Sequence, residues 1–380
     1  MDGAVVTVEP QVFSLLLYLV ENRERVVSKD DLIASVWEGR AVSDSTLDSR
    51  INAARKALGD SGKQQRLIRT MARRGVRFVG DVIQQSTDAS APALRQSSSA
   101  LQQQIHFCTA SDGVRIAYAS AGSGPPLVKT ANWLNHIEYD WQSPVWSHLL
   151  HGLAAEYQLV RYDERGNGLS DWDVEDISFE AFVRDLETVV DAAQLQRFAL
   201  LGMSQGCAVS IVYALRHPER VSHLVLFGGY ARGRRKRGSA IEIEKTEATT
   251  KLMRLGWGQE NPAFRHMFTS HFIPGGTPDQ MKWFNDLQRV TTSPNNAARI
   301  REAMNDIDVS QLLERVTVPT LVVHCQGDQV VPFEEGRLIA SRISGARFVA
   351  LESCNHLILP GEPALGRFLG EVRTFITKPA

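Results

Sequence analysis

Between Gln84 and Gln104 the chain changes character, and that break constrains what can fold on either side of it. Fifteen of those 21 residues are glutamine, serine or alanine, and Pro92 interrupts any helix. Such a stretch carries too little apolar side chain to bury against a core, so it reads as a flexible linker. The 380-residue chain then divides into a short module, residues 1–83, and a large one, residues 105–380, both of ordinary domain size.

Composition excludes several classes. Hydrophobic residues make up 43% and charged residues 22%, the proportions of a globular protein. The longest apolar run, Val12 to Val20, is broken by Ser14 and Tyr18 and falls short of the roughly 20 residues a membrane span needs. Cys108, Cys207, Cys325 and Cys354 form no CxxC pattern, so neither a disulfide framework nor a metal site is expected. No basic-then-apolar leader opens the chain, which points to a cytoplasmic, reduced protein without a cofactor.

The short module reads as a strand (Ala4–Val8), three helices and a hairpin. Pro10 suits the first turn of a helix, and Phe13, Leu16, Leu17 and Val20 are expected to form its apolar face. Ser28 with Asp31 has the spacing of a capping box for the second helix, whose Leu32, Val36 and Trp37 should face inward. Ser43 or Asp44 caps a third, with Leu47, Ile51, Ala54 and Leu58 on one stripe and Gly59 at its end. Leu67–Met71 and Val76–Val79 should pair around a turn closed by Gly75.

Formal net charge is −1 over the whole chain, but the local distribution is lopsided. Residues 1–49 carry four basic and nine acidic side chains, whereas residues 50–77 carry nine basic ones against Asp60 alone. The basic surplus falls on the third helix and the hairpin. A helix in the major groove needs polar and cationic side chains opposite its apolar stripe, and Thr46, Ser49, Arg50, Asn52, Arg55 and Lys56 meet that need. Arg73, Arg74 and Arg77 at the hairpin suit phosphates or a narrow minor groove.

The stretches EPQVFSLLLYLVENRERVVSKDDLIASVW, VSDSTLDSRINAARKALGD and IRTMARRGVRFVG resemble the OmpR/PhoB-type winged-helix DNA-binding domain. The resemblance implies that Asp44–Leu58 is the recognition helix and Arg73–Arg77 the wing, with duplex DNA as partner. Two departures stand out: one strand, not four, precedes the first helix, and no phospho-acceptor domain leads the module. A homodimer is compatible with paired half-sites, though the sequence marks no interface.

After Ile105, short β-branched runs alternate with amphipathic segments. Ile105–Ala110 and Val114–Ser120 flank Ser111-Asp112-Gly113, a hairpin signal. Leu127–Ala131, Gln158–Asp163, Arg197–Gly202, Val221–Phe227, Thr320–Cys325 and Arg347–Leu351 read as strands. That alternation predicts an α/β fold with a mostly parallel sheet covered on both faces. Within it, Gly202-Met203-Ser204-Gln205-Gly206 follows a strand and precedes the helical Cys207–Leu215. A serine nucleophile needs this setting: a sharp strand-to-helix turn with glycines where side chains have no room. Asp328 after Thr320–Cys325 and His356 after Arg347–Leu351 complete the order Ser, Asp, His.

Tyr162–Asp171, which contains Asp163-Glu164-Arg165-Gly166, and His217-Pro218-Glu219-Arg220 look like loop and helix-end motifs of α/β-hydrolase enzymes. The resemblance covers residues 105–377 and implies a helical lid at about 229–317, with Phe264, Met267, Phe268, His271 and Phe272 on one of its helices. Backbone N–H groups of Trp133 and Gln205 are expected to form the oxyanion hole. Where many relatives have His-Gly, this chain reads Thr130-Ala131-Asn132-Trp133. The run ANWLNHIEYDWQSPVW resembles hydrolase-like domains fused to regulatory modules. Near the lid's start, Arg232–Arg237 is a basic run best read as a solvated loop, and the cysteines near the triad as core packing.

Three functions follow. The first is a one-component transcriptional regulator whose hydrolase domain binds and cleaves a small ester, lactone or amide. The second is a carboxylesterase with a vestigial or assembly-only winged helix, which the charge segregation disfavours. The third is a catalytically silent ligand sensor, disfavoured by the intact Ser, Asp and His. Substrate, operator and sign of regulation are not written in the sequence.

Overall fold

The computed structural model describes residues 10–23, 26–36, 44–62, 64–71, 75–80 and 101–377. They belong to two compact units, Met1–Arg95 and Gln96–Ala380. The expected strand Ala4–Val8, the capping residue Ser43, Trp37 and most of the linker lie outside the described residues.

In the first unit, α1 (Pro10–Glu21), α2 (Lys29–Val36) and α3 (Asp44–Ala57) precede an antiparallel pair, β1 (Ile68–Met71) and β2 (Gly75–Phe78). The capping box forms: Asp31 N–H donates to Ser28 Oγ at 3.0 Å and Ser28 N–H to Asp31 Oδ2 at 3.1 Å. The core gathers Leu15, Leu19, Leu32, Leu47, Ile51, Ala54, Ile68 and Val76. One expectation is corrected here. The buried face of α1 is Val12, Leu15 and Leu19, with Leu16 and Val20 partly buried beside it as expected, while Phe13 and Leu17 are 58% and 48% exposed. The helix is apolar on several sides, so its 3.6-residue spacing fits two phases, and packing chose the other one.

Gly75 is required where it stands. Its φ is +128°, and a Cβ there would lie 2.0 Å from the carbonyl oxygen of Val27, which bridges to Val76. Asp60 ties the end of α3 to the hairpin: its carboxylate accepts the N–H groups of Ser61, Arg66, Leu67 and Ile68. Burial opposes ionisation of this carboxyl, but the four donated hydrogen bonds prevail and hold it below the ordinary carboxylate range.

In the second unit, β3 (Gln103–Thr109) and β4 (Arg115–Ala121) form a hairpin leading to β5 (Pro126–Lys129), α4 (Ile137–Trp141), α5 (Ser147–Ala154), β6 (Gln158–Tyr162) and α6 (Phe179–Ala192). There follow β7 (Phe198–Met203), α7 (Gly206–Arg216) and β8 (Val221–Phe227). The insertion holds α8 (Arg234–Arg237), α9 (Ala240–Gly256), α10 (Ala263–Phe272), α11 (Pro278–Thr291) and α12 (Pro294–Asp306). Finally come β9 (Thr320–Cys325), α13 (Phe333–Arg342), β10 (Arg347–Leu351) and α14 (Pro363–Ile376).

Eight strands lie in the order β10-β9-β8-β7-β5-β6-β4-β3. All pairings from β10 to β6 are parallel; β4 pairs antiparallel with β6 and with β3. The sheet begins at Gln103, so its first strand takes the last two residues assigned to the linker. Every residue of β7 and β9 is buried, which is why both read as unbroken apolar runs rather than alternating ones. Because the central strands run the same way, their C-terminal ends open onto one rim, where a ligand site is expected in such sheets.

A buried arginine braces that rim. Arg165, following β6, is fully buried and bonds Asp185 of α6 at 2.6 Å and Asp112 of the β3–β4 turn at 2.7 Å. Among the described residues no helix is long and apolar enough to cross a membrane. All four cysteines are free, and burial pushes the thiol of Cys325 up to about 12 and that of Cys207 higher still, as core packing requires; Cys354, also expected in the core, is instead exposed.

Replacing Asp60 with Asn is expected to lower the urea midpoint of the first unit at pH 7, monitored by circular dichroism on the full chain. A carboxyl whose folded pKa is depressed stabilises above its unfolded value of about 3.9 and loses that contribution as pH falls below it. The gap between wild type and Asp60→Asn should therefore shrink below about pH 4.

Candidate active site

Between the end of β7 and the start of α7, Ser204 and Gln205 turn the chain. Ser204 sits at φ +53°, a left-handed conformation costing a non-glycine residue about 1–2 kcal/mol. Its surroundings hold it there. A Cβ on Gly202 would lie 2.7 Å from Cys207 Cα and from Ser210 Oγ, and one on Gly206 would lie 2.7 Å from the Ala131 carbonyl oxygen. Ser204 N–H donates to the Phe227 carbonyl at 3.0 Å, pinning the turn to β8.

Asp328 and His356 meet across β9 and β10. The Nδ1 of His356 lies 2.6 Å from Asp328 Oδ2, with both side chains almost entirely buried. Val330 and Val331 donate their N–H groups to the other carboxylate oxygen at 2.8 and 2.9 Å. His324, which sequence reasoning missed, adds its Nε2 at 3.5 Å from Oδ2. Desolvation opposes the charge on Asp328, but His356, His324 and the Val331 N–H together hold its carboxyl well below the usual range. His324 sits inside a wholly buried strand, where its spacing looked like any core position.

The histidine loop is tied on both sides. His356 N–H donates to the Phe272 carbonyl at the end of α10 at 2.9 Å. Asn355 bridges Gly275 N–H, at 2.8 Å, and Glu362, at 2.9 Å. The hydroxyl of Ser204 donates no hydrogen bond to His356 among the described residues, so the acid–base pair is formed and the base–nucleophile bond is open. Unliganded sites often have this looser arrangement, which tightens on substrate.

The backbone N–H groups of Trp133 and Gln205 find no backbone acceptor among the described residues. Trp133 follows β5 in a loop held by Lys129, whose Nζ bonds Asn132 Oδ1 at 2.5 Å. Gln205 is fully buried, and its amide donates to Glu164 Oε1. Burial, then the charge of Asp185, pushes the Glu164 carboxyl well above its ordinary value. Sequence reasoning quoted Glu164 only within a motif; its partnership with Gln205 crosses 41 residues and has no local signal.

Ser204, Tyr230, Phe272, Val330 and Val331 line a cavity of about 20 Å³, room for one water molecule. Phe272 and Phe268 of the insertion are buried, whereas Met267 is 39% exposed. A larger concavity of about 720 Å³ lies in the first unit beside Asp48, Asn52, Arg55 and Thr70. Its lining has no histidine and no cysteine, so size alone does not locate the chemistry. No group of His, Cys, Asp and Glu that could hold a metal occurs among the described residues.

On α3, Thr46, Ser49, Asn52 and Lys56 are exposed and Arg50 is half-buried. Arg77 is also half-buried and donates to the Arg23 carbonyl at 3.0 Å. Arg73 and Arg74 lie outside the described residues. Arg55 needs correcting. It is 5% exposed, and its guanidinium bonds Ile68 O at 3.0 Å, Thr70 Oγ1 at 2.7 Å and Asn52 Oδ1 at 3.2 Å. It braces α3 against β1 instead of facing outward. The signal was in the periodicity: Arg55 stands four residues after Ile51, on the buried stripe.

The strand order, the elbow and the strand-end residues define an α/β-hydrolase. The chain belongs to the family described as Serine aminopeptidase, S33, whose model matches residues 139–364. Residues 3–78 match the family described as Transcriptional regulatory protein, C terminal, an OmpR/PhoB-type DNA-binding domain. The AB hydrolase superfamily protein YisY of Bacillus subtilis is 25% identical over 266 residues, 66% of this chain and 92% of its own. Pyrrolizixenacetamide deacetylase of Xenorhabdus hominickii is 24% identical over 63% of this chain and 87% of its own. Among solved structures, the esterase EaEST from Exiguobacterium antarcticum superposes with a TM-score of 0.60 at 25% identity, covering 72% of this chain and 99% of that one. These likenesses support an esterase-type hydrolase.

Replacing Glu164 with Gln should stabilise the second unit in alkaline solution. A carboxyl whose folded pKa is raised costs stability once pH exceeds its unfolded value of about 4.3, because the unfolded chain then releases the proton more readily. Calorimetric unfolding of wild type and Glu164→Gln should diverge in favour of the variant as pH rises from 5 to 8. Equal pH dependence in both would show that Glu164 is ionised in the fold.

Proposed function

We propose that the chain is a one-component DNA-binding regulator whose second unit is a serine hydrolase for a small ester, lactone or amide. The observation carrying the catalytic half is the 2.6 Å Asp328–His356 pair on the same strand-end rim as a serine held at φ +53°. The remaining support is the pair of unclaimed N–H groups on Trp133 and Gln205.

In this mechanism Ser204 Oγ attacks the substrate carbonyl carbon while His356 Nε2 takes the hydroxyl proton. Asp328, kept ionised, fixes the tautomer that leaves Nε2 free to accept and stabilises the imidazolium that results. Charge moves to the carbonyl oxygen, which receives hydrogen bonds from the N–H groups of Trp133 and Gln205. As the tetrahedral species collapses, His356 returns the proton to the departing oxygen or nitrogen, leaving an acyl group on Ser204. Water, deprotonated by His356, then attacks the acyl carbon; collapse gives the free acid and restores the serine.

The regulatory half rests on the match of residues 3–78 and the polar, exposed side of α3. Thr46, Ser49, Arg50, Asn52 and Lys56 are the proposed duplex contacts on that helix, with Arg73, Arg74 and Arg77 at the wing. Arg55 acts through packing.

Ser204→Ala should lower kcat on an activated ester by at least about 10³-fold, and Asp328→Asn by roughly 10⁴-fold. Steady-state hydrolysis of 4-nitrophenyl acetate measures both, and full activity in Ser204→Ala would overturn the catalytic assignment. For the other half, replacing Arg50 and Lys56 with Ala should reduce the slope of log affinity against log salt by about 2. Gel retardation reads this directly. If the full chain retards no duplex at low salt, the regulatory reading fails.

A further inference from the structure

The basic run Arg232–Arg237 is not a uniform solvated loop. Arg232 pairs with Glu335 at 2.6 Å, and Arg235 pairs with Asp306 at 2.8 Å. Arg234 and Arg237 have no carboxylate within ion-pair distance among the described residues. Arg234 donates to the Val330 carbonyl at 3.0 Å. Arg237 donates to the Arg232 carbonyl at 2.8 Å and lies 5.0 Å over the Tyr230 ring. Opposite them, on α12, stands Arg301. It is 7% exposed, and among the described residues it has neither an ion pair nor a hydrogen bond. Its Nε is buried without an acceptor, and so is the Nδ2 of Asn305 one turn along α12.

All three arginines and Asn305 line the cavity that contains Ser204, and no carboxylate lines it. Arg234, Phe272, Arg301 and Val330 also line an outer groove of about 300 Å³ between α9 and α10, whose one carboxylate, Glu242, is paired with Lys245 at 2.9 Å. The guanidiniums thus form the wall between solvent and the nucleophile. Burial, reinforced by the neighbouring Arg234 and Arg237, pushes the Arg301 guanidinium down to about 9. It stays charged at pH 7 in a place with no counter-ion. Leaving a buried cation without partner is among the costliest arrangements in a folded protein. A ligand anion removes that cost, and guanidinium forks match a carboxylate with two parallel hydrogen bonds.

We infer that the substrate carries an ionised carboxylate which pairs with Arg301, flanked by Arg234 and Arg237, while its ester or lactone carbonyl rests at Ser204. This inference rests on the serine-hydrolase reading and narrows its substrate class to acidic esters and lactones. Asp140 and Asp163, the buried acids facing Lys129 and Arg161, have partners and leave no comparable surplus.

A matched pair of probes tests it on the full chain: 4-nitrophenyl hydrogen adipate and its methyl-capped diester, equal in acyl length and differing by one charge. The hemi-ester should be favoured in kcat/KM by roughly 10- to 100-fold at low salt. Arg301→Gln should bring that ratio to about one, with its rate of fluorophosphonate labelling reporting that the variant is folded. In parallel, adipate should bind Ser204→Ala calorimetrically and fail to bind the Ser204→Ala, Arg301→Gln double variant. Labelled enzyme without preference for the hemi-ester overturns the anion site and leaves the hydrolase standing. Arg301-dependent adipate binding without any labelling or turnover does the reverse. Equal adipate binding with and without Arg301 refutes the inference outright.

Discussion

One unfavourable backbone conformation organises the catalytic unit. Ser204 at φ +53° lifts its hydroxyl above the end of β7 only because glycines at 202 and 206 let α7 and the Ala131 loop approach within 3 Å of where a Cβ would sit. The elbow, the first turn of α7 and the Ala131 loop are therefore a single arrangement, and moving any part displaces the others. The cost of about 1–2 kcal/mol is small against the apolar area that β7 and α7 bury together.

Buried charge is distributed around this rim by two different rules. Arg165 is matched by Asp185 and Asp112, and Asp328 by His356, His324 and two backbone donors. Glu164 forms no ion pair among the described residues, and burial drives its carboxyl well above the ordinary value. Arg301 follows neither rule. A guanidinium does not deprotonate readily, and nothing on the described chain compensates it. That asymmetry separates residues that hold the fold together from those that await a ligand.

Much of this was legible in the sequence. The strand-to-helix setting of Ser204, the strand-end positions of Asp328 and His356, and the hairpin around Gly75 are local patterns, and each appears where spacing placed it. The phase of α1 was misread because Phe13 and Leu17 are as apolar as Leu15 and Leu19, and only tertiary packing decides among them. Arg55 was misread because charge was weighed above its place on the Ile51 stripe. Glu164 acts through a partner 41 residues away and Arg301 through lacking any, and neither relation leaves a mark in sequence spacing; His324 stands four residues before Asp328, but inside an unbroken apolar strand that made it look like a core position.

The central claim is that Ser204, His356 and Asp328 work as one unit although no serine–histidine hydrogen bond is formed among the described residues. A crystal structure of the protein phosphonylated by a small fluorophosphonate tests it most directly. The account requires phosphorus on Ser204 Oγ, the phosphoryl oxygen within hydrogen-bond distance of the Trp133 and Gln205 N–H groups, and the His356 imidazole turned to the adduct while still bonded to Asp328. An adduct on another residue, or a Ser204 adduct with His356 out of reach, would contradict it.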